Sequence, residues 1–348
     1  MRVYQHIDEY RDKDGIGSDI TGLHEALIQL GYEPFIVCRK NHSGRSKGII
    51  LLEKFVPAHG IHILHYGGSG YPLEHFLDSP GPKILRFHNF TPSVHFYGTV
   101  SEDIYNSMRK FELVSSYELE KMKGRISCVL SDSDYNSSLL KKFHYANIFK
   151  LPVVRDYSFH PPAGPTRKKI GFVGRFVPNK RLEDLVMLLY FLKKIDPEYS
   201  LVLAGTYNSA FYEYLDYIKG FIAGLGLQES VEFLVGADED DKRREMQSWS
   251  AYVSFSEHEG FGIPLLEAFA LGVPVLAYDS SAVRETMRRG GIVFKKKDYL
   301  RIAAMAHLLF RDKKFRDRVI AGQKTAVSWY ENFDVRQLLS GVIRELAV

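Results

Sequence analysis

Cysteine is scarce in this sequence. Of 348 residues only Cys38 and Cys128 carry a thiol, each inside an apolar run, VCR and SCVL. Neither has a CxxC neighbour, which argues against a zinc ribbon or a disulfide and leaves buried thiols in a reducing compartment as the expectation. Long hydrophobic runs are missing as well. No stretch approaches the ~18 uninterrupted apolar residues of a membrane span. The opening MRVYQHIDEYRDKDG has no apolar core after its first charges, unlike a secretory signal. There is no fixed-period repeat and no low-complexity tract. A strong charge of either sign is also lacking: the net +4 is mildly basic, suits an anionic ligand or an anionic membrane surface, and gives no reason to expect nucleic acid. The expected compartment is the cytoplasm.

What is there is alternation. MRVYQH, EPFIVC, IHILHY, KILRFH and ISCVLS read as short strands, with helix-length amphipathic stretches between them. In DITGLHEALIQLG the apolar residues Ile20, Leu23, Leu27 and Leu30 share one helical face, closed by Gly31. Around 155–168 the chain becomes RDYSFHPPAGPTRK, rich in proline and polar residues, and reads as a linker. The alternation then restarts with KIGFVG, YSLVLAG, VEFLVG and AYVSFS. The expected architecture is α/β, two Rossmann-like domains facing across a cleft. The first is expected over 1–160, the second over 166–328, and a final segment over 329–348, bent near Asn332–Asp334.

The chemistry concentrates in SFSEHEGFGIPLLEAFALGVPVLAY, positions 254–278. A strand hands over to a helix through a glycine loop, with Pro264 near the first helical turn, where its missing N–H costs nothing. The amides of Gly260, Phe261, Gly262 and Ile263 then leave the helix N-terminus as an anion site that a ligand can approach closely. Carboxylates such as Glu259 and Glu267 repel phosphate, but they accept charge-assisted hydrogen bonds from sugar hydroxyls. A diphosphate between two sugars reconciles both features. A second element, IGFVGRFVPNKRLEDLV, ends a strand at Gly174 and places Arg175 and Lys180 in a short loop, where two cations can clamp a pyrophosphate.

These stretches resemble the signature of the retaining, nucleotide-sugar-dependent glycosyltransferases of family 4, which have the GT-B fold. Glu259-GFGIPLL-Glu267 matches their Glu-x7-Glu motif, and GRFVPNK matches their phosphate loop. SAVRETMRRGGIVF is similar to the segment that carries Pro-Glu in the family, with Arg284 in place of the proline and Glu285 retained. DGIGSDITGLHEAL resembles the first glycine loop, LRFHNFTPSVHF the His-Asn-x-Thr-Pro segment of bacterial surface-polysaccharide enzymes, and VLSDSDYNSSLL the stretch before the linker.

The resemblance implies a metal-independent hexosyltransferase without cofactor. Its partners would be a nucleoside diphosphate sugar donor, with GDP-mannose the first guess, and a glycan or lipid-linked acceptor. It implies that 1–160 binds acceptor, that 166–328 binds donor, and that the last helix crosses back to the first domain, with Trp329, Tyr330 and Phe333 near the junction. Arg175 and Lys180 would neutralise the diphosphate. Glu259, Gly260, Phe261 and Gly262 would hold the donor sugar, Glu267 the ribose, and Gly15 and Gly17 a close approach of the first loop. His88 would stand beside the reacting sugar, with His65 a weaker candidate.

Other chemistries fit less well. Asp132-Ser-Asp134 and Asp238-Glu-Asp240 have the DxD form of a metal-dependent transferase, but they read as capping or solvated acids. HEGFG is not HExxH, and His62 with His65 lacks a third ligand, so no metal site is expected. An NAD(P)-dependent oxidoreductase would need more than the two glycines of G-I-G at 15–17 and an acid after the second strand, where Cys38-Arg39-Lys40 stands instead. A glycosidase would leave Arg175 and Lys180 idle. A non-catalytic nucleotide-sugar-binding protein would keep the site without releasing nucleotide. MRKFELVSSYELEKMKGR mixes apolar and aromatic residues with five cations and three acids, and is the expected peripheral contact with the inner face of a membrane.

Overall fold

A computed structural model of the chain describes residues 1–12, 14–161 and 166–346. Residues 162–165 of the expected linker, and 347–348 of the expected final segment, lie outside the described residues. The backbone divides into two compact units. One comprises Met1–Phe90, Arg109–Asp156 and Asn332–Val348, and the other Thr91–Met108 and Tyr157–Glu331.

The first unit is built on strands β1 (Arg2–Tyr10), β2 (Glu33–Asn41), β3 (Ile49–Leu51), β4 (Ile61–Tyr66), β5 (Lys83–Phe87), β6 (Cys128–Ser131) and β7 (Ile148–Lys150). They form one parallel sheet in the order β3-β2-β1-β4-β5-β6-β7. Side chains alternate between its faces, so each strand feeds two cores. Tyr4, Leu64, Leu85, Phe87 and Val129 share one. Val3, Ile61, Ile63, Ile84, Cys128 and Leu130 share the other with Leu23, Ala26 and Leu27 of the Gly15–Gln29 helix. That helix is the amphipathic one expected from its sequence. The Val335–Leu346 helix presents Leu339, Val342 and Ile343, spaced for one helical face, to the same core. The Val335–Leu346 helix thus packs on the first unit, as the expected fold requires.

The second unit repeats the plan with β8 (Lys169–Arg175), β9 (Ser200–Thr206), β10 (Val231–Val235), β11 (Ala251–Ser254), β12 (Val275–Tyr278) and β13 (Ile292–Phe294). Its parallel order is β10-β9-β8-β11-β12-β13. Trp249, fully buried, lies across β8 at Gly171, where an added Cβ would come within 2.3 Å of the indole. Its Nε1 donates to Glu245 Oε1 at 3.0 Å.

One segment departs from the expected domain ranges. Residues 91–108 were expected in the first domain but cluster with the second unit. The cause is apolar: Phe96, Val100, Ile104, Tyr105 and Met108 pack with Val177 and Phe211 of the second unit. In each sheet the strand order reverses once, at β1/β4 and at β8/β11, and open parallel sheets bind ligands beyond the carboxyl ends of the strands at such switch points.

Candidate active site

In the second unit the two motifs stand on either side of the β8/β11 reversal. β8 ends at Arg175, and a short turn, Pro178–Lys180, leads into the Leu182–Ile195 helix. Arg175 is exposed and has no side-chain partner among the described residues. Lys180 Nζ donates to Glu259 Oε1 at 2.6 Å and lies 3.5 Å from Ser256 Oγ. The structure therefore brings Lys180 and Glu259 together, which sequence spacing alone did not indicate. The pair neutralises itself, and the unpaired cation of the loop is Arg175.

β11 runs into the glycine loop and the Ile263–Ala270 helix, with Pro264 in the first turn. Gly262 caps the helix in the left-handed region, φ 93°, where any other residue is strained. Neighbouring loops hold the motif in place. Glu259 N donates to Ser281 Oγ at 2.8 Å, and Thr286 Oγ1 donates to Phe261 O at 2.5 Å. Tyr330 OH in turn donates to Thr286 O. Glu267 is mostly covered and lies 3.7 Å from Lys242 Nζ, a cation the sequence reading passed over. His258, inside the motif, is buried. Burial pushes its pKa down to about 4, with Glu259 opposing and His95 and Lys180 assisting.

A second charged cluster begins one residue after Lys180. Lys297 Nζ donates to Asp184 Oδ2 at 2.7 Å and Glu257 Oε1 at 2.6 Å, and Arg181 Nε to Asp184 Oδ2 at 3.2 Å. Lys297 lies more than a hundred residues downstream, and nothing in its local sequence, FKKKD, distinguishes it from its neighbours.

In the first unit His88 follows β5 directly, and its side chain is 5% exposed. Its Nδ1 lies 3.1 Å from Asp132 Oδ2 and its Nε2 3.0 Å from His65 Nδ1. His65 Nε2 faces Gln5 Oε1 at 3.0 Å. Arg86 forks onto Asp19, with Nε to Oδ2 at 2.8 Å and Nη2 to Oδ1 at 2.7 Å, and Nη2 also lies 2.9 Å from Asp132 Oδ1. Its Nη1 donates to Leu151 O. Burial alone would raise the Asp19 pKa, but the Arg86 guanidinium, helped by His88 and His65, holds the carboxyl below its usual range. His65 is driven well below the ordinary histidine range, first by burial and then by His88.

One expectation is corrected here. Asp132 is neither a cap nor a solvated acid: it is 3% exposed and pairs with His88, while its neighbour Ser133 caps the Asp134–Lys142 helix. Only Asp134 of that DxD is solvated, and Asp238 of the other caps its helix as expected. Gly17 faces its own loop, where a Cβ would lie 1.7 Å from Arg11 O, so local packing demands this glycine. Gly15 opens the helix, whose N-cap Asp14 already receives the Gly17 amide at 2.7 Å.

Asp19, His65 and His88 also present three donor atoms close enough to hold a cation. The fit is poor. Both Asp19 oxygens already accept from Arg86, and a cation there would sit against a guanidinium.

Residues 154–325 match the model of the family described as glycosyl transferases group 1. That stretch is a group 1 glycosyltransferase domain. A GDP-mannose:cellobiosyl-diphosphopolyprenol alpha-mannosyltransferase of Xanthomonas oryzae is 29% identical over 196 residues, 55% of this chain and 50% of the relative. The lipopolysaccharide core biosynthesis mannosyltransferase LpcC of Rhizobium leguminosarum is 26% identical over 176 residues, 48% of this chain and 49% of the relative. The chain thus spans about half the length of the curated relatives it matches. Anabaena HepE, solved in complex with UDP and glucose, superposes with a TM-score of 0.75 at 13% identity, covering 99% of this chain and 100% of that one. The fold is GT-B. Within the glycosyltransferase domain lie all the second-unit motifs: Arg175, Lys180, Glu259 to Gly262 and Glu267. His88 and its partners lie outside it. Among the described residues no helix is long and apolar enough to cross a membrane.

Proposed function

We propose that the protein transfers a hexose, mannose in the first instance, from a nucleoside diphosphate sugar to a glycan or lipid-linked acceptor, with retention and without a divalent ion. The observation that carries this reading is the Lys180–Glu259 contact at 2.6 Å, on the turn that follows Arg175 at the end of β8, next to the β8/β11 reversal. It joins the cation loop and the Glu-x7-Glu motif into one site of mixed charge. Such a site suits a ligand that is anionic at its centre and hydroxylated at its ends. The names of the relatives support mannose and polysaccharide or lipopolysaccharide synthesis.

The chemistry we assign is front-face substitution. The acceptor oxygen bonds to the anomeric carbon as the bond to the β-phosphate oxygen breaks. The electron pair stays on the phosphate, which takes the acceptor proton. Arg175, Lys180 and the amides of Gly260 to Ile263 stabilise the charge that develops there. Glu259 holds donor-sugar hydroxyls, Glu267 the ribose, and His88 helps place the transferred sugar. Arg175→Ala or Lys180→Ala should lower turnover ~10²–10³-fold, more than either weakens donor binding. Activity should survive EDTA. Loss on chelation, restored by manganese, or a product of inverted configuration would refute the mechanism. A thermal-shift series of nucleoside diphosphates tests the base, since a ligand at a hundred times its Kd stabilises by ~2.7 kcal/mol.

We further propose that the Glu102–Met122 helix rests on an anionic membrane. Leu113 and Tyr117, one turn apart, are 61% and 67% exposed, with exposed Arg109 and Lys110 nearby. Co-sedimentation with anionic liposomes at low salt, abolished in Leu113→Glu/Tyr117→Glu, is the expected result. No sedimentation of the parent protein would refute it.

A further inference from the structure

A hydrogen-bonded chain with two known ends fixes where its protons sit. The chain Gln5–His65–His88–Asp132 has both. At one end the Gln5 amide donates from Nε2 to Ile20 O at 3.4 Å, so Oε1 faces His65 Nε2 at 3.0 Å. The opposite amide orientation would set oxygen against carbonyl oxygen. His65 therefore donates from Nε2. It is buried and neutral, which leaves Nδ1 bare. That bare nitrogen lies 3.0 Å from His88 Nε2, so His88 must donate there. At the other end His88 Nδ1 meets Asp132 Oδ2 at 3.1 Å, and a carboxylate only accepts. Both ring nitrogens of His88 are thus donors.

We propose that His88 is held as an imidazolium at neutral pH, and that Asp132, His65 and Gln5 are its positioning residues in sugar transfer. The functional half of this rests on the reading of His88 given above. The charge count agrees with the hydrogen bonds. His88 faces Asp19 from the first helix, His65 from β4 and Asp132 after β6; behind them Gln5 of β1 meets His65, and Arg86 of β5 meets Asp19 and Asp132. Arg86 contributes one positive charge against two carboxylates, all nearly without solvent exposure. A neutral His88 would leave a buried net negative charge, and the imidazolium cancels it. Asp19 Oδ2 lies 3.7 Å from both His88 Nε2 and His65 Nδ1, close enough to favour the charged ring without taking its proton. Because both N–H groups are committed to protein acceptors, His88 acts as a fixed positive charge and not as a proton donor to substrate.

The test is long-range proton–nitrogen correlation on the full chain labelled at histidine, with His88 assigned by comparison with His88→Gln. At neutral pH both His88 ring nitrogens should appear protonated, and His65 should show one protonated and one bare nitrogen. A bare nitrogen on His88, a bare Nε2 on His65, or stoichiometric metal in the purified protein would overturn the proposal. Apart from the His88→Gln comparison used for assignment, this measurement is made on the unaltered chain and needs no turnover. Asp132→Asn should then expose a bare nitrogen on His88 and move the alkaline limb of the turnover profile to lower pH. Transfer at neutral pH should fall about 10- to 100-fold, the range for a hydrogen bond to a charged group. Asp132→Glu should restore part of it. If the ring is doubly protonated but Asp132→Asn leaves the pH profile unchanged, the charge assignment stands and the role of His88 in transfer fails.

Discussion

Among the described residues of the first unit are two buried histidine chains, and they differ in how they end. On one face of the sheet Tyr71 OH lies 2.7 Å from His6 Nδ1, His6 Nε2 2.9 Å from His62 Nδ1, and His62 Nε2 3.1 Å from Ala58 O. Tyrosine donates, a backbone carbonyl accepts, and both rings are satisfied with one proton each. On the other face Gln5, His65, His88 and Asp132 form a chain of the same length, but it ends on a carboxylate beside a second acid and an arginine. The strands are shared: β1 supplies Gln5 and His6, and β4 supplies His62 and His65. What differs is the terminal group, and it decides whether a buried histidine is a neutral packing piece or part of a charged cluster. The neutral chain is surrounded by aromatic rings, Tyr4, Phe55 and Phe76 among them. The charged one is surrounded by ions.

The largest effect expected from breaking this contrast is at Arg86. Arg86→Met leaves Asp19 and Asp132 facing each other across a dry space and should cost about 3–5 kcal/mol, read by urea unfolding. A loss below about 1 kcal/mol would mean that the cluster is wet or already neutral.

Next comes acid. Burial lowers the His62 pKa to about 4 and that of His6 well below its ordinary value, so the folded state resists protons that the unfolded chain accepts near 6.5. Their contribution to stability is therefore complete above about pH 6.5 and is lost as pH falls below it, for His62 through the window down to about 4. For His62 alone that amounts to about 3 kcal/mol at pH 4. His62→Gln should flatten the dependence of unfolding free energy on pH in that window, and an unaltered slope would place the acid sensitivity elsewhere, for instance at His258.

The smallest effect is His6→Phe. It strands the Tyr71 hydroxyl and one nitrogen of His62 while adding an aromatic ring to an aromatic site, at an expected cost of about 1–3 kcal/mol. Transfer activity should be unchanged. A large loss of activity would show that the neutral chain is coupled to function after all.

How far these features could be read in the sequence depends on how local they are. The alternation of strands and helices, the Glu259–Glu267 spacing and the GRFVPNK turn are written in consecutive residues, and the structure puts them on the expected strand ends. His88 stood out because it ends a strand. Its partners did not, because they come from β1, β4 and the loop after β6, and sequence distance hides which strands are neighbours. A signal was present in each case. Arg86 interrupts ILRF, His65 interrupts an apolar strand, and Asp132 follows VLS, so each polar residue sits where a buried strand should be apolar. Pairing them needs the register, in which His65 stands opposite Arg86 and Arg86 opposite Leu130. The position of 91–108 was hidden for a similar reason. Its apolar residues announce that they will be buried but not by which unit.

The contact of Trp249 with Gly171 carries a consequence for descent. With 2.3 Å between the indole and any Cβ at 171, neither position can drift alone: enlarging Gly171 overfills the space, at about 1–3 kcal/mol, and shrinking Trp249 empties it. Lineages should therefore change the two residues in concert or keep both, and a homologue with alanine or serine at 171 should carry a smaller side chain at 249.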